Sequence, residues 1–471
     1  MNISNPVNAE INAVSFSFYD SEEVKKISVK HIVNPQLLDN LNHPSKGGLY
    51  DPALGPFTKN HVCATCSLDY FSCPGHFGHI ELPCPVTNPL VFKYMFGLMR
   101  AKCFYCHRFR TSRAENARYI AKLNLLQAGL VLEALEVDNM VPNFKNKKSS
   151  ADDEDESIED IKIETEEEYI ERIESFVKHS LENASDSASK DYKVTLINEE
   201  RRKVQADFVK RACGKRRCDN CTGYAPSLRN DGYTKVFKQP LPKKYQAVMD
   251  AKGMTESDVL QKKAKQPKRH YADAEMMDVD EEEEVAEAES EMEIASEKKT
   301  AHTFMTPLHL RNHITLLFEN EEEISNLLYG KYDPISQTYT KASPNMFFIE
   351  VLPVPPTRFR PASVFEDEIM ENPQNVYLGQ VLATCNRLRD INVAASGGND
   401  KIDGVSLAAT DTKMFSNVIN TWIQLQQDVN NLIDSSKNPN LGTNGAAPPP
   451  GIRQTLEKKE GLFRKHMMGK R

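Results

Sequence analysis

Cys63-Ala-Thr-Cys66, followed by Cys73-Pro-Gly-His76, is the stretch that decides how this chain folds. Four soft donors arrive in two tight pairs within fourteen residues. Zinc asks for four thiolate or imidazole ligands in a tetrahedron, and a CxxC turn aims two sulfurs at one ion while CxxH closes the set from the other side. His79 is an alternative fourth ligand, but the spacing of the turn favours His76. Cys84 is left over and is expected to pack. A second half-site, Cys103-Phe-Tyr-Cys106, has no local partner. The only other CxxC is Cys218-Asp-Asn-Cys221, more than a hundred residues later. If both pairs hold one ion, the intervening chain is looped out of the site, at an entropic cost that grows only slowly with length. Cys213 competes as a ligand there. Cys385 lies on an apolar helical stripe and reads as a small core residue. Four protein ligands on each ion leave no open position for water, so the two zinc sites are expected to be structural, and a zinc hydrolase is disfavoured.

The surroundings agree with a metal-stapled, multidomain chain. Its 471 residues, 39% hydrophobic and 27% charged, allow about two to four domains at ~100–200 residues each. Mean hydropathy is −0.54, and the absence of a long apolar run rules out a membrane span; no membrane partner is expected. The start, MNISNPVNAEINAVSF, lacks the basic-then-apolar layout of a secretion signal. A reducing compartment follows, in which clustered cysteines are metal ligands rather than disulfides.

The net charge of −8 hides an asymmetry. Asp152–Glu182 carries −11 and Asp273–Glu293 carries −12, so the remainder carries +15. A basic body suits a polyanionic partner such as nucleic acid. The two acidic runs suit disorder, because they offer little apolar surface to offset the entropy of ordering.

Along the chain, residues 1–60 read as an irregular opening segment with a strand at Val14–Asp20, and 61–110 as the cysteine-rich head. Residues 111–230 hold a helix from about Thr111 to Leu135, with Ile120, Leu123, Leu126 and Leu130 on one face. They also hold the first acidic insert, a basic stretch (Arg201–Arg217) and the closing CxxC. Residues 231–300 read as a charged, disordered insert. In 301–361, Thr306-Pro307 is an N-cap followed by a first-turn proline. Leu310, Ile314, Leu317, Ile324 and Leu328 form a helical stripe ended by Gly330, and Met346–Pro356 reads as a buried strand. In 362–451, helices over about Asn372–Ala395 and Leu407–Ile433 form a hairpin, a coiled-coil prong or an ordinary pair of core helices. Asp434–Gly451 follows as a loop. The last segment, 452–471, is basic: Arg453, Lys458, Lys459, Arg464, Lys465, Lys470 and Arg471 are interleaved with apolar residues and glycines, a pattern suited to gripping a phosphate backbone. No phosphate-cradling glycine loop, Ser-His-Asp set or aspartate-rich metal loop stands out, and no catalytic residue is assigned. The fold class is α+β, an irregular multidomain module stabilised by zinc.

CxxC-x6-CPGHFGHIEL (Cys63–Leu82), VLPVPPTRFRP (Val351–Pro361) and KKEGLFRKHMMGKR (Lys458–Arg471) together resemble the largest subunit of eukaryotic DNA-directed RNA polymerase. The opening FSFYDSEEVKKISV and HPSKGGLYDPALGP agree, and the acidic inserts are most like RNA polymerase I. The resemblance implies the mobile clamp that closes over DNA, with two structural zinc ions held by Cys63, Cys66, Cys73 and His76 and by Cys103, Cys106, Cys218 and Cys221. It implies that the hairpin at 372–433 is the clamp coiled coil, a docking point for initiation and elongation factors. The segment after Arg360 is similar to the lid, the loop 434–451 to the rudder, and Gly451–Arg471 to a switch whose seven bases hold template phosphates. The implied partners are the other polymerase subunits, the second-largest above all, with the DNA template and the RNA–DNA hybrid. The implied place is the nucleus and nucleolus. The family's NADFDGD loop, which holds catalytic magnesium in the assembled polymerase, is not in this chain. The chain alone is not expected to polymerise, and it reads as a fragment, a partial gene model or a split subunit. The competing expectation is a free-standing, non-enzymatic zinc module that binds nucleic acid or chromatin.

Overall fold

The computed structural model describes residues 19–141, 164–183, 193–253, 302–333, 338–365, 368–396, 407–437, 449–457 and 461–467. It is a mixed α+β chain, mostly helical with small sheets. In chain order the elements are α1 (Ser21–Ile27), β1 (Ser28–His31), β2 (Phe77–Thr87), α2 (Phe92–Ala101), α3 (Arg113–Gln127), α4 (Val131–Asn139), α5 (Glu166–Asn183), α6 (Lys193–Gly214), β3 (Leu228–Asp231), β4 (Lys235–Lys238) and α7 (Lys243–Ala251). Then follow β5 (Thr303–Met305), α8 (Pro307–Asn320), α9 (Glu322–Tyr329), β6 (Lys331–Asp333), β7 (Thr338–Thr340), β8 (Phe348–Val354), β9 (Ser363–Phe365), β10 (Glu368–Met370), α10 (Pro373–Ser396), α11 (Leu407–Ile433) and α12 (Ile452–Leu456). The chain divides into two compact units, 1–89 with 345–471, and 90–344.

The first unit is organised by β2. β1 pairs with it in parallel and β8 antiparallel. The β2–β8 register runs from Gly78↔Val354 to Glu81↔Val351, breaks, and resumes at Val86↔Ile349. The break falls on Leu82-Pro83-Cys84-Pro85, where two prolines have no N–H to give to a ladder. The α10–α11 hairpin serves the backbone there. Trp422 Nε1 donates to Pro85 O at 2.9 Å. Gln426 accepts from Thr87 N and donates to Thr87 O, at 2.7 and 2.8 Å. Arg389 donates to Glu81 O at 2.9 Å. Between them lies one apolar core: Ile80, Val86, Leu352 and Val354 from the sheet, Leu378, Leu382, Cys385 and Leu388 from α10, and Leu425, Val429 and Leu432 from α11, with Trp422 against it. The two long helices thus appear close to where the apolar stripes place them, and their base is core packing rather than a free prong.

The second unit is helical around α3, with a small antiparallel meander β3-β4-β5. Four readings of the sequence change here. The helix expected over Thr111–Leu135 is two helices, because Gly129 takes φ +86° and turns the chain between α3 and α4. The helix expected after Thr306 also divides, into α8 and α9 at Glu321 (φ −131°, ψ 54°), although Leu310, Ile314, Leu317, Ile324 and Leu328 are all buried. Part of the first acidic run is ordered: Glu166–Asn183 is the helix α5. Its Tyr169 and Ile173 enter a core with Leu125 and Leu126 of α3, and Phe176 and Val177 pack against it. Apolar residues at helical spacing offset the ordering cost while the acids stay outside. Finally, the insert read from 231 opens with ordered structure, β4 and α7, whose Val236 and Met249 are buried. The strand expected at Val14–Asp20, residues 152–163, the whole run Asp273–Glu293 and the hairpin tip at 397–406 lie wholly or largely outside the described residues, as do 438–448.

Candidate metal centres

Three CxxC turns share one backbone design. The residue after the second cysteine takes a left-handed φ in each: Ser67 at 57°, His107 at 55° and Thr222 at 58°. The first cysteine's N–H in each bonds the carbonyl five residues on: Cys63 to Leu68 at 3.0 Å, Cys103 to Arg108 at 2.8 Å and Cys218 to Gly223 at 2.8 Å. The bridges Lys102↔Phe109 and Arg217↔Tyr224 close the roots of the last two. A non-glycine left-handed residue costs energy, so its threefold recurrence marks a turn built for its sulfurs. The fourth turn uses Gly75 at φ +85°, where an added Cβ would lie 2.6 Å from Pro356 Cβ.

These turns bring the eight expected residues into two quartets. Cys63, Cys66, Cys73 and His76 form one, and Cys103, Cys106, Cys218 and Cys221 the other, with ligand atoms all within 4.8 Å of one another in each. In the first, Cys66 Sγ is 3.5 Å from Cys73 Sγ, which is 3.8 Å from His76 Nε2. In the second, Cys103 and Cys221 are 3.4 Å apart and Cys106 and Cys218 3.7 Å. A tetrahedron with 2.3 Å zinc–sulfur bonds has sulfur–sulfur edges of ~3.8 Å. All ten cysteines are free thiols. Thr65 N and Gly75 N each approach a candidate ligand sulfur, Cys63 and Cys73, at 3.4 Å. Burial lifts the Cys73 thiol to about 11, and hydrogen bonding to Cys103 and Cys218 lifts Cys106. Three thiolates in the first quartet and four in the second, so close together, would be held as anions by a cation among them, and metal uptake would expel protons. The donor set and spacing fit a divalent cation, consistent with structural zinc.

The alternatives separate. His79 is not in the first quartet; its Nδ1 meets Ser28 Oγ at 2.7 Å and its ring stacks on His31, centroids 5.0 Å apart. Cys213 is not in the second; its Sγ faces Gly97 O at 3.5 Å. Cys84 is half-buried against the core and Cys385 fully buried.

Of the seven basic candidates at the C-terminus, Lys458, Lys459, Lys470 and Arg471 lie outside the described residues. Arg464 and Lys465 are exposed. Arg453 is already engaged: Nη1 bonds the buried Asp434 at 2.9 Å and Nε bonds Glu457 at 3.0 Å. Burial tends to raise the Asp434 carboxyl, but donors from Ser436, Gln454 and Arg453 outweigh it and hold it at about 2.

Three cations were not legible as special. Arg360 is fully buried and donates to Pro355 O at 3.0 and 2.8 Å, to Leu49 O at 2.8 Å and to Asn375 Oδ1. Lys102 and Arg110 are buried beside the second quartet. Burial drags Lys102 down to about 7, against the pull of the Cys103 and Cys106 thiolates. Only position hints at Lys102 and Arg110 in sequence: one precedes the Cys103–Cys106 turn and the other follows it by four residues.

A family described as RNA polymerase Rpb1, domain 1, matches residues 8–467. The chain belongs to that family, so its two quartets lie in a domain of a multisubunit RNA polymerase's largest subunit. The relatives point to one polymerase. The chain is 40% identical over its whole length to DNA-directed RNA polymerase I subunit rpa1 of Schizosaccharomyces pombe, covering 29% of that protein. It is 38% identical over its whole length to subunit RPA190 of Saccharomyces cerevisiae, covering 28%. It is 34% identical over 99% of its length to rpa1 of Dictyostelium discoideum, covering 27%. The resemblance to the N-terminal part of the polymerase I largest subunit therefore stands. The chain spans less than a third of these relatives' length. Among the described residues no helix is long and apolar enough to cross a membrane.

Proposed function

We propose that this chain is the clamp portion of the RNA polymerase I largest subunit, acting in DNA-templated synthesis of ribosomal RNA in the nucleolus. The reading is carried by two closed four-ligand quartets inside a chain that matches the Rpb1 domain 1 family over residues 8–467. A clamp that swings over DNA needs rigid levers made from polar, loop-rich sequence. Structural zinc supplies cross-links there when bound, and no step of the chemistry passes through it. Cys63, Cys66, Cys73 and His76 would fix the head against β2, and Cys103, Cys106, Cys218 and Cys221 would pin the two ends of the long insertion. The α10–α11 hairpin, seated on β2, would offer its outer end to initiation and elongation factors. The segment after Arg360 would act as the lid and 434–451 as the rudder.

The basic segment then places template phosphates without reading bases. Arg464 and Lys465 are exposed and available, Lys458, Lys459, Lys470 and Arg471 complete the strip, and Arg453 anchors its base to Asp434. Catalytic magnesium belongs to the assembled polymerase, with the second-largest subunit and the remainder of the largest. The test is elemental analysis of the purified chain together with salt-dependent binding of duplex DNA and co-purification with the second-largest subunit. Two zinc ions per chain, weak binding without base preference, and a stable complex with that subunit are expected. A metal-free chain overturns the reading. Tight, salt-steep duplex binding with no polymerase partner favours the free-standing zinc module instead.

A further inference from the structure

Lys102 and Arg110 are buried, at 0% and 6% exposure, and among the described residues neither makes an ion pair with a carboxylate. Lys102 Nζ is 3.0 Å from His107 Nδ1, 3.1 Å from His313 Nδ1 and 2.9 Å from His313 O. Three acceptors use all three donors of an ammonium group. Arg110 donates from Nε to Ala101 O at 3.4 Å and from Nη2 to Arg100 O and to Cys213 O at 3.3 Å. Every one of these acceptors is neutral. Buried charges are ordinarily paired or bound to a metal, because removing them from water costs far more than neutral hydrogen bonds return.

Their placement supplies the missing anion. Lys102 and Phe109 form the bridge that roots the Cys103–Cys106 turn. Arg110 is the next residue, and its carbonyl accepts from Asp219 N, inside the Cys218–Cys221 turn, at 3.2 Å. Asn220 Nδ2 ties the same turns together through Phe109 O and Thr111 O, at 2.9 and 3.2 Å. Four thiolates around one divalent cation carry a net charge of −2, by formal count. The first quartet, three thiolates and an imidazole, would carry −1, and one arginine serves it from the surface: Arg358 Nη1 donates to Cys73 O at 2.5 Å.

We infer that Lys102 and Arg110 are the counter-cations of the four-thiolate centre, positioning residues that cancel its charge and hold the metal in it. The inference rests on the zinc reading above. It assigns no ligand and no catalytic role to either side chain. Outer partners of metal ligands commonly change metal retention about 10–100-fold, and that is the expected effect here.

The full-length chain is loaded with zinc and challenged with a chelator. Metal release is timed, and cysteines that become open to alkylation are mapped by mass spectrometry. K102M and R110M should release metal at least about tenfold faster from Cys103, Cys106, Cys218 and Cys221, while Cys63, Cys66 and Cys73 stay protected as in the parent. K102R should restore retention, which a purely steric role would not. Should K102M fail to give folded protein, K102M in a C106H background decides the matter. That change lowers the centre to −1, so the single remaining cation suffices and folded, metal-retaining chain is recovered. Unchanged release in K102M and R110M, no rescue by K102R, or no recovery in the C106H background each overturns the counter-cation role. A parent chain that holds no metal at the second quartet overturns the zinc reading itself, which is a different result.

Discussion

Asp434→Asn tests whether the base of the C-terminal basic segment is latched electrostatically. Asp434 follows the last turn of α11, and its side chain is 1% exposed. One oxygen accepts from Ser436 N at 3.1 Å, Ser436 Oγ at 2.6 Å and Gln454 Nε2 at 2.6 Å. The other accepts from Arg453 Nη1 at 2.9 Å. A carboxyl held at about 2 instead of 3.8 contributes about 2 kcal/mol at neutral pH. The sign follows from the direction of the shift. The unfolded carboxyl takes up a proton near 3.8 while the folded one does not, so the contribution is complete above that value and fades as pH falls toward 2. By the same relation about half should survive at pH 3. D434N should therefore cost about 2 kcal/mol at pH 7 and roughly 1 kcal/mol at pH 3, in urea unfolding with both proteins compared at each pH in the same metal state. A double-mutant cycle with R453M should return a coupling of about 1 kcal/mol, since Ser436 and Gln454 remain as donors. A D434N penalty that does not change with pH would refute the argument and leave a packing defect as the cause.

Three further outcomes follow from the geometry. H76A should leave one zinc per chain, whereas H79A should keep two, because His79 is committed to Ser28 and His31; elemental analysis separates them. Arg360→Lys keeps a charge but loses the guanidinium fork to Leu49, Pro355 and Asn375, and the buried acceptors left unpaired should cost about 2–4 kcal/mol in denaturant unfolding. Replacing Arg464 and Lys465 together by glutamine should weaken nucleic-acid binding across all sequences and flatten the plot of log affinity against log salt by about two.

The candidate metal ligands were legible in pairs because their information is local: a turn of four residues fixes where two sulfurs point, whereas the choice of His76 over His79, and of Cys218 and Cys221 over Cys213 as partners of Cys103 and Cys106, took the folded chain to separate. The hairpin was legible because Leu378, Leu382, Cys385 and Leu388, and Leu425, Val429 and Leu432, repeat at helical intervals. What spacing cannot carry is the environment that a distant segment supplies. In sequence Arg360 only marks the start of the lid-like segment, yet Leu49 and Asn375 make it an interior cation. Lys102 looked like any lysine beside a cysteine until His313, two hundred residues away, closed over it. The acidic run misled in the opposite sense. Its net charge masked the interval of Tyr169, Ile173, Phe176 and Val177, which is enough to seat α5 against α3. The parallel pairing of β1 with β2 left no mark either, since nothing in four residues, Ser28–His31, names a partner strand fifty positions on.

The second quartet joins positions 118 residues apart, Cys103 and Cys221, and so makes the covalent path between them redundant for the site's geometry. So long as the two turns still meet, and Phe109–Thr111 and the packed core of α3, α4 and α5 are kept, the centre does not itself require an unbroken chain in that interval. A nick there would yield two polypeptides that travel as one until a chelator parts them. Length variation among related chains is expected to gather between the two turns, where it costs the centre nothing, rather than within the fourteen residues that carry the first quartet.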